Sequence, residues 1–299
     1  MSLTQEQLDC FHSEGYFVAR GVVPSDCIHT LQDEIDQVID EKANDLKESG
    51  KITTLHDDLG FLTRAMELHA QCPEILGPVN SGNHAGKAMF ALITCPQLLD
   101  VIEQLVGPEI VASSVYRIRP KLPELPEGIV PWHQDSGYFH TMGDDHLIVT
   151  AWIPLMNATV EAGCMEVMPR SHLHGVRRHY WAIDPAPPLT VHPEDVPDWD
   201  PVPVPADVGD VVLMTNKTMH RSTANMSGKI RWAADLRYNA PEAGDYYTGE
   251  AGFLARSDLR PDEVLTDAPA FESLRKNHVG EGGVDRTWPD ERKGEISFG

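Results

Sequence analysis

The pattern of apolar and polar positions changes character near residue 108. Before it, apolar residues recur at helical spacing, and Thr4 with Gln7 has the spacing of a capping box for a first helix. Helices are also predicted over residues 25–48 and 96–105. The longer one would present a single apolar face made of Ile28, Leu31, Ile35, Val38 and Ile39.

Residues 109–240 instead carry short runs rich in β-branched and aromatic residues, with Pro, Gly, Asn and Asp between them. Such runs are typical of a sandwich, jelly roll or barrel. One more strand is predicted within the helical part, over residues 16–23. The sequence therefore predicts a mainly β protein with an α-helical N-terminal layer. The strands predicted in the β part are residues 110–118, 146–155, 164–168, 211–215 and 230–238.

The whole chain, residues 1–299, is expected to form one domain. Residues 1–108 would be a helical support layer, 109–240 the β core, and 241–299 a polar, acidic, Gly-rich extension with no clear period. Residues 184–207 are crowded with Pro and Asp and predict a long loop. A loop of that length is either a lid over a binding site or a surface excursion without a role.

The charge balance argues against one class of partner. The chain has 46 acidic and 24 basic residues, a formal net charge of −22. Nucleic acids are bound through Lys and Arg, so neither DNA nor RNA is expected as a partner, and the acidity is interpreted as a solvated surface.

The remaining composition points to a reducing compartment. The five cysteines are widely spaced and contain no CxxC pair, which argues against a disulfide framework or a zinc knuckle. We see no secretory leader and no run near the length that spans a bilayer. A cytoplasmic protein without a membrane partner is expected, and the oligomeric state stays open.

The sharpest local signal is the HxD spacing of His133 and Asp135. In an extended segment these two side chains point the same way and can reach one metal ion. A second histidine would complete a facial triad that leaves coordination positions open, and His220, just after a predicted strand, is the best candidate. HxD alone is a weak signal, because other close histidine pairs occur at His140/His146 and His172/His174.

Arg231 lies eleven residues after His220 within an alternating strand. A buried guanidinium needs an anionic partner, and its fork suits a carboxylate. That partner is either a bound carboxylate such as the far end of 2-oxoglutarate, or a nearby Asp or Glu. The second alternative is favoured by the sequence alone.

Several stretches together resemble the phytanoyl-CoA dioxygenase family of iron(II)- and 2-oxoglutarate-dependent oxygenases. They occur in the family's order and, with the N-terminal strand and helix, cover most of the chain. They are residues 131–135 (PWHQD), 150–155 (TAWIPL), 161–165 (EAGCM), 168–172 (MPRSH), 209–213 (GDVVL), 220–222 (HRS) and Arg231.

The resemblance implies a double-stranded β-helix, or cupin-like jelly roll, that binds iron(II), 2-oxoglutarate and dioxygen, with ascorbate as the reductant in vitro. Iron ligands would be His133, Asp135 and His220. The resemblance also implies that Arg231 and Ser222 bind the far carboxylate of 2-oxoglutarate. Gln134 and Trp152 would line the pocket for this cosubstrate.

Two further expectations follow from the same resemblance. A lysine contacts the cosubstrate in some relatives, and Lys87 is the candidate, although its spacing fits poorly; His172 is interpreted as structural. A carboxylate at Asp135 favours hydroxylation of an aliphatic C–H bond over halogenation. Desaturation, ring closure and epimerisation stay open.

Arg117 and Arg119 precede the HxD segment and lie on one face of a strand. In the family that the chain resembles, the matching strand contributes to the pocket, which implies that Val115, Arg117 and Arg119 face inward. Arg117 or Arg119 would anchor a small anionic substrate; alternatively, both pair with local acids such as Glu124 and Glu127 or cover the edge of the sheet. Two rival functions use the same scaffold: a cupin-like metal-dependent isomerase or hydrolase, and a non-catalytic binding module.

Overall fold

The computed structural model describes residues 2–80, 84–113, 116–125, 128–181, 189–244, 252–277 and Trp288. Its α-helices are α1 (Gln5–Glu14), α2 (Ser25–Glu48), α3 (Arg64–Gln71), α4 (Lys87–Ile93), α5 (Pro96–Val106) and α6 (Ala268–Asn277). Its strands are β1 (Tyr16–Ala19), β2 (Ile110–Ala112), β3 (Arg117–Lys121), β4 (Val130–His133), β5 (Ile148–Pro154), β6 (Met165–Val167), β7 (His179–Trp181), β8 (Leu189–Val191), β9 (Val202–Val204), β10 (Val211–Thr215), β11 (His220–Ser222), β12 (Arg231–Asn239) and β13 (Phe253–Arg256).

The N-terminal helices form as the apolar spacing predicts. At α1 the Thr4 hydroxyl accepts from the Gln7 backbone N–H, and the Gln7 side chain accepts from the Thr4 backbone N–H, which completes the capping box. Helix α2 has the predicted bounds, and its apolar stripe belongs to the large core that also contains α4 and α5. The helices therefore cover one face of the largest sheet.

That sheet has seven antiparallel strands in the order β1-β10-β5-β12-β2-β13, and β3 also pairs with β12. Opposite it lies a four-stranded sheet in the order β4-β11-β6-β9, and β7 pairs with β8. The mainly β class with a helical N-terminal layer is therefore confirmed. Strand β12 is central, because it pairs with β5, β2 and β3.

Side chains alternate strictly along β12. Trp232, Ala234, Leu236 and Tyr238 belong to the core beneath the helices. The intervening Arg231, Asp235 and Arg237 line a pocket between the two sheets. One strand thus supplies both the packing that holds the helical layer and the polar groups of a cavity.

The structure corrects several predicted elements. The strand expected over residues 110–118 is two strands, β2 and β3, which pair with different parts of β12. The loop expected over 184–207 contains β8 and β9 in its described part. The extension expected from residue 241 supplies β13 and α6, and Phe271 is fully buried in the main core. Val115, Glu127, residues 184–188 and much of the tail lie outside the described residues.

One segment, Lys87–Val106, has the length and apolar composition to cross a bilayer. The sequence pattern did not predict such a segment. It comprises two helices, α4 and α5, and half of it is buried inside the fold. A core helix of this kind passes the same test of length and composition, so the segment is weak evidence for a membrane span.

Gly15 and Gly21 offer a matched test of the turn that follows α1, because both have positive φ angles, 84° and 61°. A Cβ at Gly15 would collide with His172 and lie 2.8 Å from the Thr218 hydroxyl, whereas at Gly21 it would meet nothing within 4 Å. We expect Gly21→Ala to cost about 1–2 kcal/mol of unfolding free energy from backbone strain alone. Gly15→Ala should cost roughly 1–3 kcal/mol more from overpacking.

Chemical denaturation of both variants measures the difference. Equal stabilities for the two variants would show that the side chains around Gly15 move aside and that the turn is not tightly packed.

Candidate active site

The three predicted metal ligands lie together. His133 ends β4 and His220 begins β11, and the two are directly opposed across these antiparallel strands. Asp135 opens the short 3-10 turn that follows β4. All three residues are buried, and one ligand atom from each lies within 4.8 Å of the others. The HxD spacing and the cross-strand register thus build a cluster that could hold one metal ion.

Backbone carbonyls orient both imidazoles. Nδ1 of His133 bonds to the Pro131 carbonyl at 2.9 Å, and Nδ1 of His220 bonds to the Thr218 carbonyl at 2.9 Å. A carbonyl only accepts, so each Nδ1 donates to it, and each Nε2 is the ring nitrogen left to bind a metal. Burial, reinforced by the neighbouring His220, holds the pKa of His133 well below its ordinary value.

Asp135 is held by a cross-strand pair. Arg237 Nη2 donates to Oδ1 at 2.9 Å, and the Thr150 hydroxyl donates to Oδ2. Arg237 and Thr150 are directly opposed on β12 and β5. Burial alone would raise the pKa of Asp135, but Arg237 and the two histidines hold it well below its ordinary value. The carboxylate therefore stays ionised, as a metal ligand must.

Arg231 is a buried cation that lacks an acidic partner among the described residues. Its side chain is 1% exposed, and its Nε and Nη1 have no hydrogen-bond partner in that part of the chain. Nη2 makes one long bond, 3.4 Å, to the Gly163 carbonyl, and the guanidinium lies 5.4 Å from the Trp152 ring centre. The pairing with a nearby acid that the sequence favoured is therefore wrong.

Lys121 lies beside Arg231, and sequence reasoning missed it as a site residue. It is 2% exposed, and its Nζ donates to the Ser222 hydroxyl at 2.8 Å and to the Thr223 carbonyl. Burial, together with Arg231 and Arg119, lowers the pKa of Lys121 to about 6. The earlier candidate Lys87 is exposed at the start of α4 and does not line the pocket.

A pocket between the two sheets joins the three candidate metal ligands and Arg231, and Lys121, Gln134 and Arg117 are not among the residues that line it. The Gln134 amide points elsewhere: it donates to the carbonyls of Gly175 and Lys217 and accepts from the Arg177 N–H. Arg117 donates to the Tyr116 carbonyl and does not line the pocket. The lining residues are Arg119, Val130, His133, Asp135, Thr150, Trp152, Met165, Met214, His220, Ser222, Arg231, Asp235 and Arg237.

Arg119 is the pocket cation nearest to solvent. Its side chain is 35% exposed, against 8% for Arg237. Its Nε donates to Asp235, which leaves the two Nη groups of the fork for other ligands. The acidic partner of Arg119 is therefore Asp235 on β12, and not Glu124.

The residues that sequence reasoning missed are Lys121, Thr150, Asp235 and Arg237. Strand alternation could have predicted three of them. Asp235 and Arg237 lie on the same face of their strand as Arg231, and Lys121 lies on the same face as Arg119. Nothing local marks Thr150, whose hydroxyl reaches Asp135 only through the pairing of β5 with β12.

Comparison with known proteins agrees with this geometry. Residues 11–233 match the sequence profile of the family described as "Phytanoyl-CoA dioxygenase (PhyH)". The human peroxisomal phytanoyl-CoA dioxygenase is 26% identical over 179 residues, which are 59% of this chain and 50% of the human protein. The chain thus spans about half the length of this relative.

Solved structures share the fold at low identity. A nickel complex of the non-heme monooxygenase ThoJ has a TM-score of 0.60 and 16% identity, over 91% of this chain and 94% of that one. The epimerase SnoN, in complex with Fe³⁺, α-ketoglutarate and nogalamycin RO, has a TM-score of 0.52 and 20% identity, over 79% of this chain and 83% of that one. The predicted jelly roll is confirmed.

Proposed function

The chain belongs to the phytanoyl-CoA dioxygenase family, and on that premise we propose that it is an iron(II)- and 2-oxoglutarate-dependent hydroxylase of a small anionic molecule. The observation that supports this proposal best is that Arg231 is buried without an acidic partner among the described residues. A fully buried guanidinium with two unbonded nitrogens is costly, and a carboxylate ligand removes that cost.

The donor set fits iron(II). Two neutral imidazoles and one carboxylate are the protein ligands of a facial triad, and they leave positions open for a cosubstrate and dioxygen. Bound there, iron(II) with 2-oxoglutarate would activate dioxygen for insertion into an aliphatic C–H bond, with succinate and CO₂ released. Asp135, held at both oxygens, keeps the metal-facing carboxylate in place.

The clamp fits the far carboxylate of 2-oxoglutarate. Arg231 offers a bidentate fork; Lys121 lies opposite it on β3 and donates to the Ser222 hydroxyl of β11, which belongs to the other sheet. Trp152 lies beside the Arg231 guanidinium and closes that side of the pocket. An apolar wall of this kind excludes water from the buried ion pair and so strengthens it.

The charge of the pocket supports an anionic substrate. Three arginines and two aspartates line it, and iron(II) and the 2-oxoglutarate dianion cancel each other, so the loaded pocket has one positive charge in excess. Arg119, the most exposed of these cations, is oriented by Asp235 with its fork available. A carboxylate, phosphate or phosphonate on the substrate would satisfy it.

The primary experiment is a substrate screen with iron(II), ascorbate and 2-oxoglutarate that measures succinate. We expect 2-oxoglutarate-dependent turnover with an anionic substrate, and none in Asp135→Ala, because no neighbouring residue replaces this ligand. Succinate formation by Asp135→Ala at the wild-type rate would contradict the metal site. Turnover without 2-oxoglutarate would favour a cupin-like isomerase or hydrolase, and ligand binding without turnover a binding module.

Arg231→Ala should weaken 2-oxoglutarate binding far more than substrate binding. Loss of a buried charge-assisted contact costs on the order of 2–5 kcal/mol, roughly 30-fold or more in affinity. Arg231→Lys should lose less, since the charge stays but the fork is gone. Calorimetric titration of the metal-loaded protein measures both variants, and an unchanged 2-oxoglutarate affinity in Arg231→Ala would refute the clamp.

Arg119→Gln should raise the KM for an anionic substrate at least about tenfold while leaving the 2-oxoglutarate requirement unchanged. Arg117→Gln is the matched control, because Arg117 lies two residues earlier on β3 but outside the pocket. Equal effects of the two substitutions, or a substrate without an anionic group, would exclude Arg119 as its anchor.

A further inference from the structure

Arg231 and Lys121 form an unusual pair of like charges. They are directly opposed across β12 and β3, and their exposed fractions are 1% and 2%. Like charges directly opposite each other destabilise a sheet, and burial removes the water that would screen them. Arginine keeps its proton under nearly all conditions, so the lysine is the member of the pair that can relieve the repulsion.

The hydrogen bonds of Lys121 match a neutral amine. Its Nζ has two acceptors, the Ser222 hydroxyl and the Thr223 carbonyl, and a neutral amine has two N–H groups. An ammonium group has three, and the described residues give it no third acceptor.

The titratable groups around Lys121 do not change this conclusion. Arg231 faces it from β12 and Arg119 from its own strand, and both favour loss of its proton. The Cys164 thiol would favour the charged form, but burial raises the pKa of that thiol and keeps it neutral at physiological pH. Burial is the largest influence on Lys121, and it acts in the same direction as the two arginines.

We propose that binding of 2-oxoglutarate draws one proton from solvent onto Lys121. This inference rests on the proposed function. A carboxylate bound at Arg231 and Ser222, which both line the pocket, would lie beside the Lys121 amine, supply the missing third acceptor and offset the two cations. The empty site then holds a neutral amine, the loaded site an ammonium ion, and the only covalent change is an N–H bond formed with a solvent proton.

The coupling gives 2-oxoglutarate binding a definite pH dependence. The amine of the empty site is largely neutral above its pKa of about 6. Each binding event then takes up a proton, so affinity should fall by up to about tenfold per pH unit as the pH rises. The fall should stop where the lysine of the loaded site itself loses its proton.

The experiment is calorimetric titration of Co²⁺-loaded protein with 2-oxoglutarate near pH 7.5, in buffers of different ionisation enthalpy. The slope of observed enthalpy against buffer enthalpy counts protons, and we expect about one taken up by the wild type. Lys121→Met should bring the count close to zero and flatten the pH dependence. Lys87→Met is the matched control, because Lys87 is exposed outside the pocket, and it should keep the wild-type count.

The outcomes separate the two proposals. A wild-type protein that binds 2-oxoglutarate with no proton uptake overturns the coupling and leaves the proposed function intact, and this result needs no variant. Proton uptake that persists in Lys121→Met also overturns it. Absence of any 2-oxoglutarate binding to the metal-loaded wild type contradicts the proposed function itself. Thermal melting of Lys121→Met verifies that the variant is folded.

Discussion

The two-residue alternation of β12 is the constraint on which the rest of the structure depends. One set of its side chains packs beneath the helices, and the other carries Arg231, Asp235 and Arg237 into the pocket. A slip of one residue against β5 would bury three charges in the helical core and expose apolar groups to the cavity. The strand is held against such a slip by seven register pairs with β5.

The charges of the pocket are compensated unequally. Arg237 neutralises Asp135, and Arg119 neutralises Asp235, so two of the three arginines that line the pocket are compensated within the protein. Arg231 is not. In a buried site, leaving one cation uncompensated destabilises the empty protein and favours any anion that replaces the missing partner. Part of the stability of the folded protein is thereby transferred to ligand binding.

Much of this was predictable from periodicity and spacing. The capping box of α1, the long helix α2 and the HxD cluster with His220 all follow from local patterns that tertiary contacts did not override. The partners of the charged residues could not be predicted, because Arg119 and Asp235 come into contact only through the pairing of β3 with β12. The position of Gln134 could not be predicted for a related reason. Alternation along the strand turns its side chain away from those of His133 and Asp135, toward backbone carbonyls that are distant in the sequence.

Strands β1 and β13, which are far apart along the chain, form opposite edges of the largest sheet. Strand β1 pairs with β10, and β13 pairs with β2, while the Thr218 hydroxyl bonds to the Gly15 carbonyl across 203 positions. A nascent chain on the ribosome therefore cannot pair β1 until β10 has emerged, and the sheet gains its last strand only later still. Folding should be slow and dominated by non-local pairing, with the fully buried strand β5 left unpaired until β10 has emerged. Chaperone dependence during synthesis would follow from the topology alone, whatever the final stability of the protein.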